Sequence, residues 1–302
     1  MTTPNFLILG APKAGTTALY AYLSQHPQVY MSPHKEPNFF AFEGSPPRYT
    51  GPGDSSGINR SSVTRLDAYL ALFDGVNGEA AVGEASPLYL QFPDAAHRIH
   101  HHVPNAKLIA ILRNPVERAY SDFLYRRKNG NEPSDDPLVA FQSEDERLAR
   151  GWSPYFGYLQ KGRYADHLER YFSLFARDQI TVFLFEDLRN EIDVTLRKAF
   201  EFLGVDGAFR ADTSLRYSTS GVPRNVAVQR ALNAAKKSRS LRAARQVLPT
   251  ARMHRWYSVV QNRNLVPAPA MSGPVRAYLQ DAFDPQIERL ASLIGRDLSH
   301  WR

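Results

Sequence analysis

Residues 7–19, LILGAPKAGTTAL, decide how the rest of the chain is read. An apolar run from Phe6 to Leu9 enters a glycine, then small residues, then two threonines and a helix-forming stretch. Gly10 and Gly15 keep the spacing of the nucleotide-triphosphate loop G-x-x-x-x-G-K-[ST], yet Thr16 stands where the lysine belongs. The loop's only lysine, Lys13, comes three residues early. Small residues let a backbone approach a phosphate, and the N–H groups that open the next helix cradle its oxygens. Lys13, Ala14, Gly15, Thr16 and Thr17 are therefore candidate anion contacts, with Lys13 a point charge for a bridging or transferring oxygen. The alternative is a plain strand–turn–helix.

Outward from this loop, apolar runs predict strands at 5–10, 80–87, 106–112 and 179–185. Helical patterns cover 16–25, 64–74, 93–102, the stretch opened by Pro115, 137–150, 162–176, 193–203, 225–246 and 273–294, while the Gly/Ser/Pro-rich 44–62 reads as a loop. Alternating strands and helices imply an α/β fold, a central parallel sheet flanked by helices, with a helical C-terminal part. In such sheets ligands gather outside the carboxyl ends of the strands. The Lys13 loop, EASP (84–87) and RNP (113–115) all fall there. Arg113 can fork onto a phosphate and Ser121 can share it; a structural ion pair is the other reading of Arg113. Arg118 is expected to pair with Glu117 or Asp122 on the helix surface. A magnesium-dependent kinase needs an acid closing an apolar strand. The 106–112 strand meets Arg113 instead, and the 179–185 strand reaches Glu186 and Asp187 only at its end.

The bulk composition excludes several chemistries. The 302 residues contain no cysteine, which rules out disulfides, thiolate catalysis and cysteine-held metal; 43% apolar and 22% charged residues are ordinary for a globular protein. No apolar run reaches the ~18 residues of a membrane span. A first strand so near the start leads us to expect no signal peptide and a cytoplasmic location. The nine histidines show no metal spacing, and HHH at 100–102 reads as surface. Net charge is +7, and between Asp212 and Asp281 twelve Lys or Arg meet no acid. That tract is either a solvated helical face or a contact for an anionic partner such as a membrane surface, through about 224–263. No nucleic-acid module accompanies it.

Taken together, PKAGTT (12–17) and RNPVERAYS (113–121) resemble the sulfotransferases that use 3′-phosphoadenosine 5′-phosphosulfate (PAPS) and release 3′,5′-adenosine bisphosphate (PAP). The resemblance runs over roughly residues 5–225 and includes KEPNFF (35–40), VGEASPLYL (82–90), GRYADHLERYF (162–172) and VFLFEDLRN (182–190). It is strongest toward bacterial members and the carbohydrate-type enzymes acting on heparan sulfate. It implies a single P-loop-like domain over 1–302, with a core to about 225 and a basic helical region from about 226. It implies that the Lys13 loop grips the 5′-phosphosulfate and that Arg113 and Ser121 bind the 3′-phosphate, with Tyr164 and Arg224 assisting. It also implies that Glu36 is the general base, the other reading being a structural salt bridge to Lys35 or Lys13, and that no metal is used, because a sulfuryl group carries less charge than a terminal phosphoryl group. Lys35, Asn38, Glu84 and Ser86 are the candidate acceptor contacts. Asn38 stands where the family often has histidine, and Ala85 where the heparan enzymes carry lysine. The expected acceptor is a hydroxyl on a sugar, lipid or natural product. Two other functions remain open: an atypical P-loop nucleotide kinase, and a non-catalytic anion-binding protein.

Overall fold

A computed structural model of the chain describes residues 2–214, 222–224, 228, 265–266 and 268–302. Its centre is a five-stranded parallel sheet of β1 (Phe6–Gly10), β2 (Val29–Met31), β3 (Ala81–Ala85), β4 (Lys107–Leu112) and β5 (Ile180–Leu184), in the order β2-β3-β1-β4-β5. Every residue of β1 and β3 is buried. A parallel sheet is covered on both faces, which is why these strands read as apolar runs without alternation. Gly83 pairs with Phe6, and a Cβ there would lie 2.6 Å from the Phe6 carbonyl oxygen, so only glycine allows β3 to sit this close to β1.

The helices are α1 (Thr16–Leu23), α2 (Phe39–Phe42), α3 (Ile58–Ser61), α4 (Leu66–Leu70), α5 (Pro93–His102), α6 (Pro115–Lys128), α7 (Pro137–Gln142), α8 (Glu144–Ala149), α9 (Tyr164–Phe172), α10 (Phe185–Asn190), α11 (Ile192–Leu203) and α12 (Gly273–Ile294). A short antiparallel pair, β6 (Val222–Pro223) with β7 (Leu265–Val266), lies against α6. Helix α12 packs on α9 and α6, burying Leu279, Phe283 and Ile287. No helix among the described residues is long and apolar enough to cross a membrane.

The expected fold class is the observed one, with local differences. Strand β2 escaped the sequence reading: three residues are too few to show a period, and its place comes from pairing with β3. The helix expected over 137–150 breaks at Ser143, and 64–74 shortens to α4 followed by a 3₁₀ turn. The loop at 44–62 contains the single turn α3. The helix expected at 225–246 lies outside the described residues. His100 and His101 are exposed as expected, but His102 is half-buried and pairs with Glu43 at 2.7 Å.

Chain order makes β1 the pivot. The path from β1 through β2 to β3 builds one side of the sheet, and β4 and β5 build the other. The crevice at such a reversal lies at the carboxyl ends of β1 and its neighbours.

Candidate active site

The Lys13 loop leaves β1 in that crevice. Lys13 itself adopts φ 69° and Gly15 φ 99°, both left-handed. A Cβ on Gly15 would sit 3.1 Å from Leu188 Cδ2 and 3.4 Å from Phe185 Cδ2, so glycine is required here on both counts. Ala14 is buried, its N–H donates to the Ala11 carbonyl at 3.2 Å, and it shapes the turn from outside the cavity lining. The N–H groups of Ala18 and Leu19 both reach the Gly15 carbonyl, at 3.0 and 3.1 Å. Those of Thr16 and Thr17 precede the first intrahelical bond and are the free donors of the helix opening. Lys13 Nζ rests 3.9 Å from the centre of the Tyr125 ring. Burial draws its pKa down to about 8, against the opposing pull of Asp122, and the charges of Arg126, Lys128 and Arg113 add to the lowering.

Arg113 arrives from the adjacent strand end. Its Nη1 approaches the Lys13 carbonyl at 3.5 Å, and the guanidinium lies 4.9 Å over the Phe185 ring. Asn114 caps α6 by accepting from Val116 N at 3.0 Å and Glu117 N at 3.4 Å, which sets the helix that carries Ser121. Lys13, Gly15, Thr16, Thr17, Glu36, Arg113 and Ser121 line one cavity of about 1270 Å³. A smaller one of about 330 Å³ adjoins it across Lys13, Arg113 and Ser121 and is closed by residues 268–271 and Arg276. Tyr164 is buried, and its hydroxyl donates to the Arg113 carbonyl at 3.0 Å. It fixes the arginine's backbone and does not line either cavity. Arg224 is exposed, just past the β6 strand that lies against α6.

Glu36 stands on a second strained turn. It has φ 62° and Asn38 has φ 54°, conformations that cost about 1–3 kcal/mol each for a non-glycine residue and gather at functional sites. The turn is held from below. Glu36 N donates to the Ala85 carbonyl at 3.0 Å, and Asn38 N to Ser86 Oγ at 3.0 Å. Ser86 Oγ in turn donates to Glu84 Oε2 at 2.8 Å, and Asn38 Nδ2 donates to the Glu36 carbonyl at 2.9 Å. Asn38, Glu84 and Ser86 are fully buried. They were expected as acceptor contacts; the structure places them beneath the turn and outside the cavity lining, where Ser86 Oγ and Asn38 Nδ2 satisfy backbone groups of the turn and Glu84 holds Ser86. Burial raises Glu84's carboxyl to about 7, while hydrogen bonds from Tyr89, Ser86 and Tyr69 act the other way. Lys35 lies outside the cavity lining and pairs with Glu36 Oε1 at 2.6 Å.

One further placement differs from the sequence reading. Arg118 does pair with Asp122, at 3.4 Å, but in the interior: both are buried, and Arg118 also donates to the Tyr158 carbonyl. Asp187, just beyond β5, accepts from Leu184 N at 2.9 Å and pairs with Arg296 at 3.0 Å, so it ties the end of that strand to the C-terminal segment. The cavity also recruits residues that the sequence reading did not name for the site. Tyr22, Phe185, Leu188, Ile192, Arg126 and Tyr155 all line it, with Phe185 against the Arg113 guanidinium and Tyr155 against that of Arg126. Phe185 and Leu188 fall within the VFLFEDLRN segment, and Tyr125, also in the lining, lies four residues beyond Ser121 on the same helix face.

Residues 3–246 match the family described as "Sulfotransferase domain". The sulfotransferase structure from Alicyclobacillus acidocaldarius superposes with a TM-score of 0.78 at 35% identity, with the whole of both chains covered. The mouse sulfotransferase SULT7A1 complexed with PAP superposes at 0.50 and 14% identity over 98% of this chain and 88% of that one, a likeness of fold alone. Human carbohydrate sulfotransferase 15 is 29% identical over 261 residues, covering 67% of this chain and 44% of that protein. The bifunctional heparan sulfate N-deacetylase/N-sulfotransferase 1 of Caenorhabditis briggsae is 28% identical over 223 residues, 72% of this chain and 24% of that one. The chain thus spans less than half the length of these curated relatives. With the family matched from before β1 to beyond β6, this chain belongs to the sulfotransferase family.

Proposed function

We propose that the chain transfers a sulfuryl group from PAPS to an acceptor hydroxyl, without a metal. One observation carries this reading: the Arg113 guanidinium reaches the Lys13 carbonyl at 3.5 Å, so two anion-binding elements from adjacent strand ends share a single cavity. PAP carries a phosphate at each end of one nucleoside. The residues present fit it, since Gly15, Thr16 and Thr17 at the opening of α1 line the same cavity as Lys13, Arg113 and Ser121. Phe185, Leu188, Ile192 and Tyr22 supply apolar and aromatic surface for the base between them.

Within that frame Glu36 takes the proton of the acceptor hydroxyl as its oxygen attacks sulfur. Lys13 holds the charge that develops on the bridging oxygen as the 5′-phosphate departs. Arg113 and Ser121 hold the 3′-phosphate and so position the nucleotide for in-line displacement. The acceptor is a hydroxyl on a carbohydrate, lipid or natural product, with a glycan favoured by the carbohydrate-type relatives. Calorimetric titration with PAP beside ATP tests the donor assignment. PAP is expected to bind tightly with or without a chelator, and ATP weakly. Preferential, magnesium-dependent binding of ATP would replace this reading with the kinase one.

A further inference from the structure

We propose that Arg126 anchors an anionic substituent of the acceptor, a carboxylate or a sulfate ester, beside the hydroxyl to be sulfated; this rests on the sulfuryl-transfer reading above. Arg126 follows Asp122 by one turn of α6 and is only 8% exposed, yet it lines the large cavity. Its guanidinium lies 4.3 Å over the Tyr155 ring and 5.6 Å from the Phe156 ring. Its single carboxylate neighbour is Asp122, whose Oδ1 stands 3.7 Å from Nε, too far for a hydrogen bond. Nε is buried without a hydrogen-bond partner, and among the described residues the two terminal nitrogens have none either.

Asp122 cannot satisfy this arginine, because it already serves two other cations. Lys161 Nζ holds Oδ2 at 2.6 Å and Arg118 Nη1 approaches the same oxygen at 3.4 Å. Three cations thus share one carboxylate. The same region shows what a structural arginine looks like. Arg147 also stacks on an aromatic ring, Trp152, but forks onto both oxygens of Glu132 at 2.9 and 3.0 Å. Arg126 has the same stacked pose with an empty fork. A guanidinium fixed by an aromatic face, with its donors turned to a cavity, is built for bidentate recognition of a planar anion.

The donor does not need it. Its charges are met by Lys13, the α1 opening, Arg113 and Ser121. Arg126 is grouped instead with Tyr155, which burial chiefly, and then the nearby charge of Glu36, hold in its neutral form. The empty fork and the proposed base therefore flank the same part of the cavity.

The test uses the full chain and three probes: methyl β-glucuronide, methyl β-glucoside and the glucoside 6-sulfate, each titrated with and without saturating PAP. Binding is read at the Arg126 Nε–H resonance. At least one charged glycoside should shift that resonance and bind about ten-fold more tightly than the neutral one, the size of one charge-assisted contact. Comparison of the glucuronide with the sulfate tells which anion is preferred. Arg126→Gln should close the gap while PAP affinity stays unchanged. Equal binding of charged and neutral probes, no shift at Arg126, or a gap that survives Arg126→Gln would overturn the proposal. So would a loss of PAP affinity in that variant, which would assign Arg126 to the donor. Failure of PAP to bind the unaltered chain would sink the donor reading alone, because the glycoside titrations are also run without it.

Discussion

Lys13 and Glu36 share an unusual property: each is a charged, non-glycine residue held at positive φ on a turn that opens into the same cavity. Strain of that kind persists only where surrounding contacts over-determine it. Lys13→Ala and Glu36→Gln should each lower kcat by about 10²–10⁴-fold, the range for a lost electrostatic or acid–base group, with PAP affinity surviving better in the Glu36 variant. Full activity of purified Glu36→Gln would remove the base assignment. Lys13 also makes a proton-linked prediction. With a pKa lowered to about 8 by burial, it is partly neutral near pH 8, and a bound phosphate favours its charged form. PAP binding at pH 8 should therefore take up protons, read as a dependence of binding enthalpy on buffer ionisation enthalpy. Lys13→Ala should abolish that dependence. Lys13, Arg113 and Glu36 were legible in the sequence because each sits in a short motif whose spacing is local. The partner of Lys13, the Tyr125 ring, lies 112 positions further along and is brought there by helix α6.

The elements beneath these turns explain why some motif residues hold rather than touch. Ser86, Asn38 and Glu84 form a chain of hydrogen bonds from the end of β3 to the Glu36 turn. Ser86→Ala leaves the buried Asn38 N–H unsatisfied and should cost about 1–3 kcal/mol of stability in denaturant titration. It should lower kcat without moving PAP affinity. Glu84's carboxyl has a folded pKa of about 7, above the ordinary 4.5, so between those values the folded state binds the extra proton and stability falls as pH rises. Glu84→Gln should flatten that part of the stability profile; an unchanged slope would place the titration elsewhere. The sequence marked EASP as a strand-end segment, but it could not distinguish a residue facing the cavity from one facing the core. That difference depends on which side of the strand end another turn packs, and the other turn lies some fifty positions away.

In the whole molecule, ionic interactions tie distant segments around the crevice. The buried cluster at Asp122 gathers Lys161, Arg126 and Arg118, α12 reaches back through Arg276–Glu117 at 2.8 Å, and the segment after it through Arg296–Asp187 at 3.0 Å. Burial works to raise Asp122's pKa, yet its three cations hold it well below the carboxylate range. Asp122→Ala would strand those buried cations and should cost about 3–5 kcal/mol, far more than Arg276→Ala at the exposed pair, where about 0–1 kcal/mol is expected. Comparable losses in thermal or denaturant unfolding would refute that ranking. By itself the amino-acid sequence determined the parallel α/β fold and the place of four of its five strands, and it marked the Lys13 and Arg113 segments that line the cavity, because buried apolar runs, loop glycines and helix-opening residues act through neighbours a few positions apart. Only the tertiary structure decided that Arg118 is interior, that Asn38, Glu84 and Ser86 support the Glu36 turn, and that Arg126 has an empty fork. Burial and charge pairing depend on residues far apart in the chain, and local pattern carries no record of them.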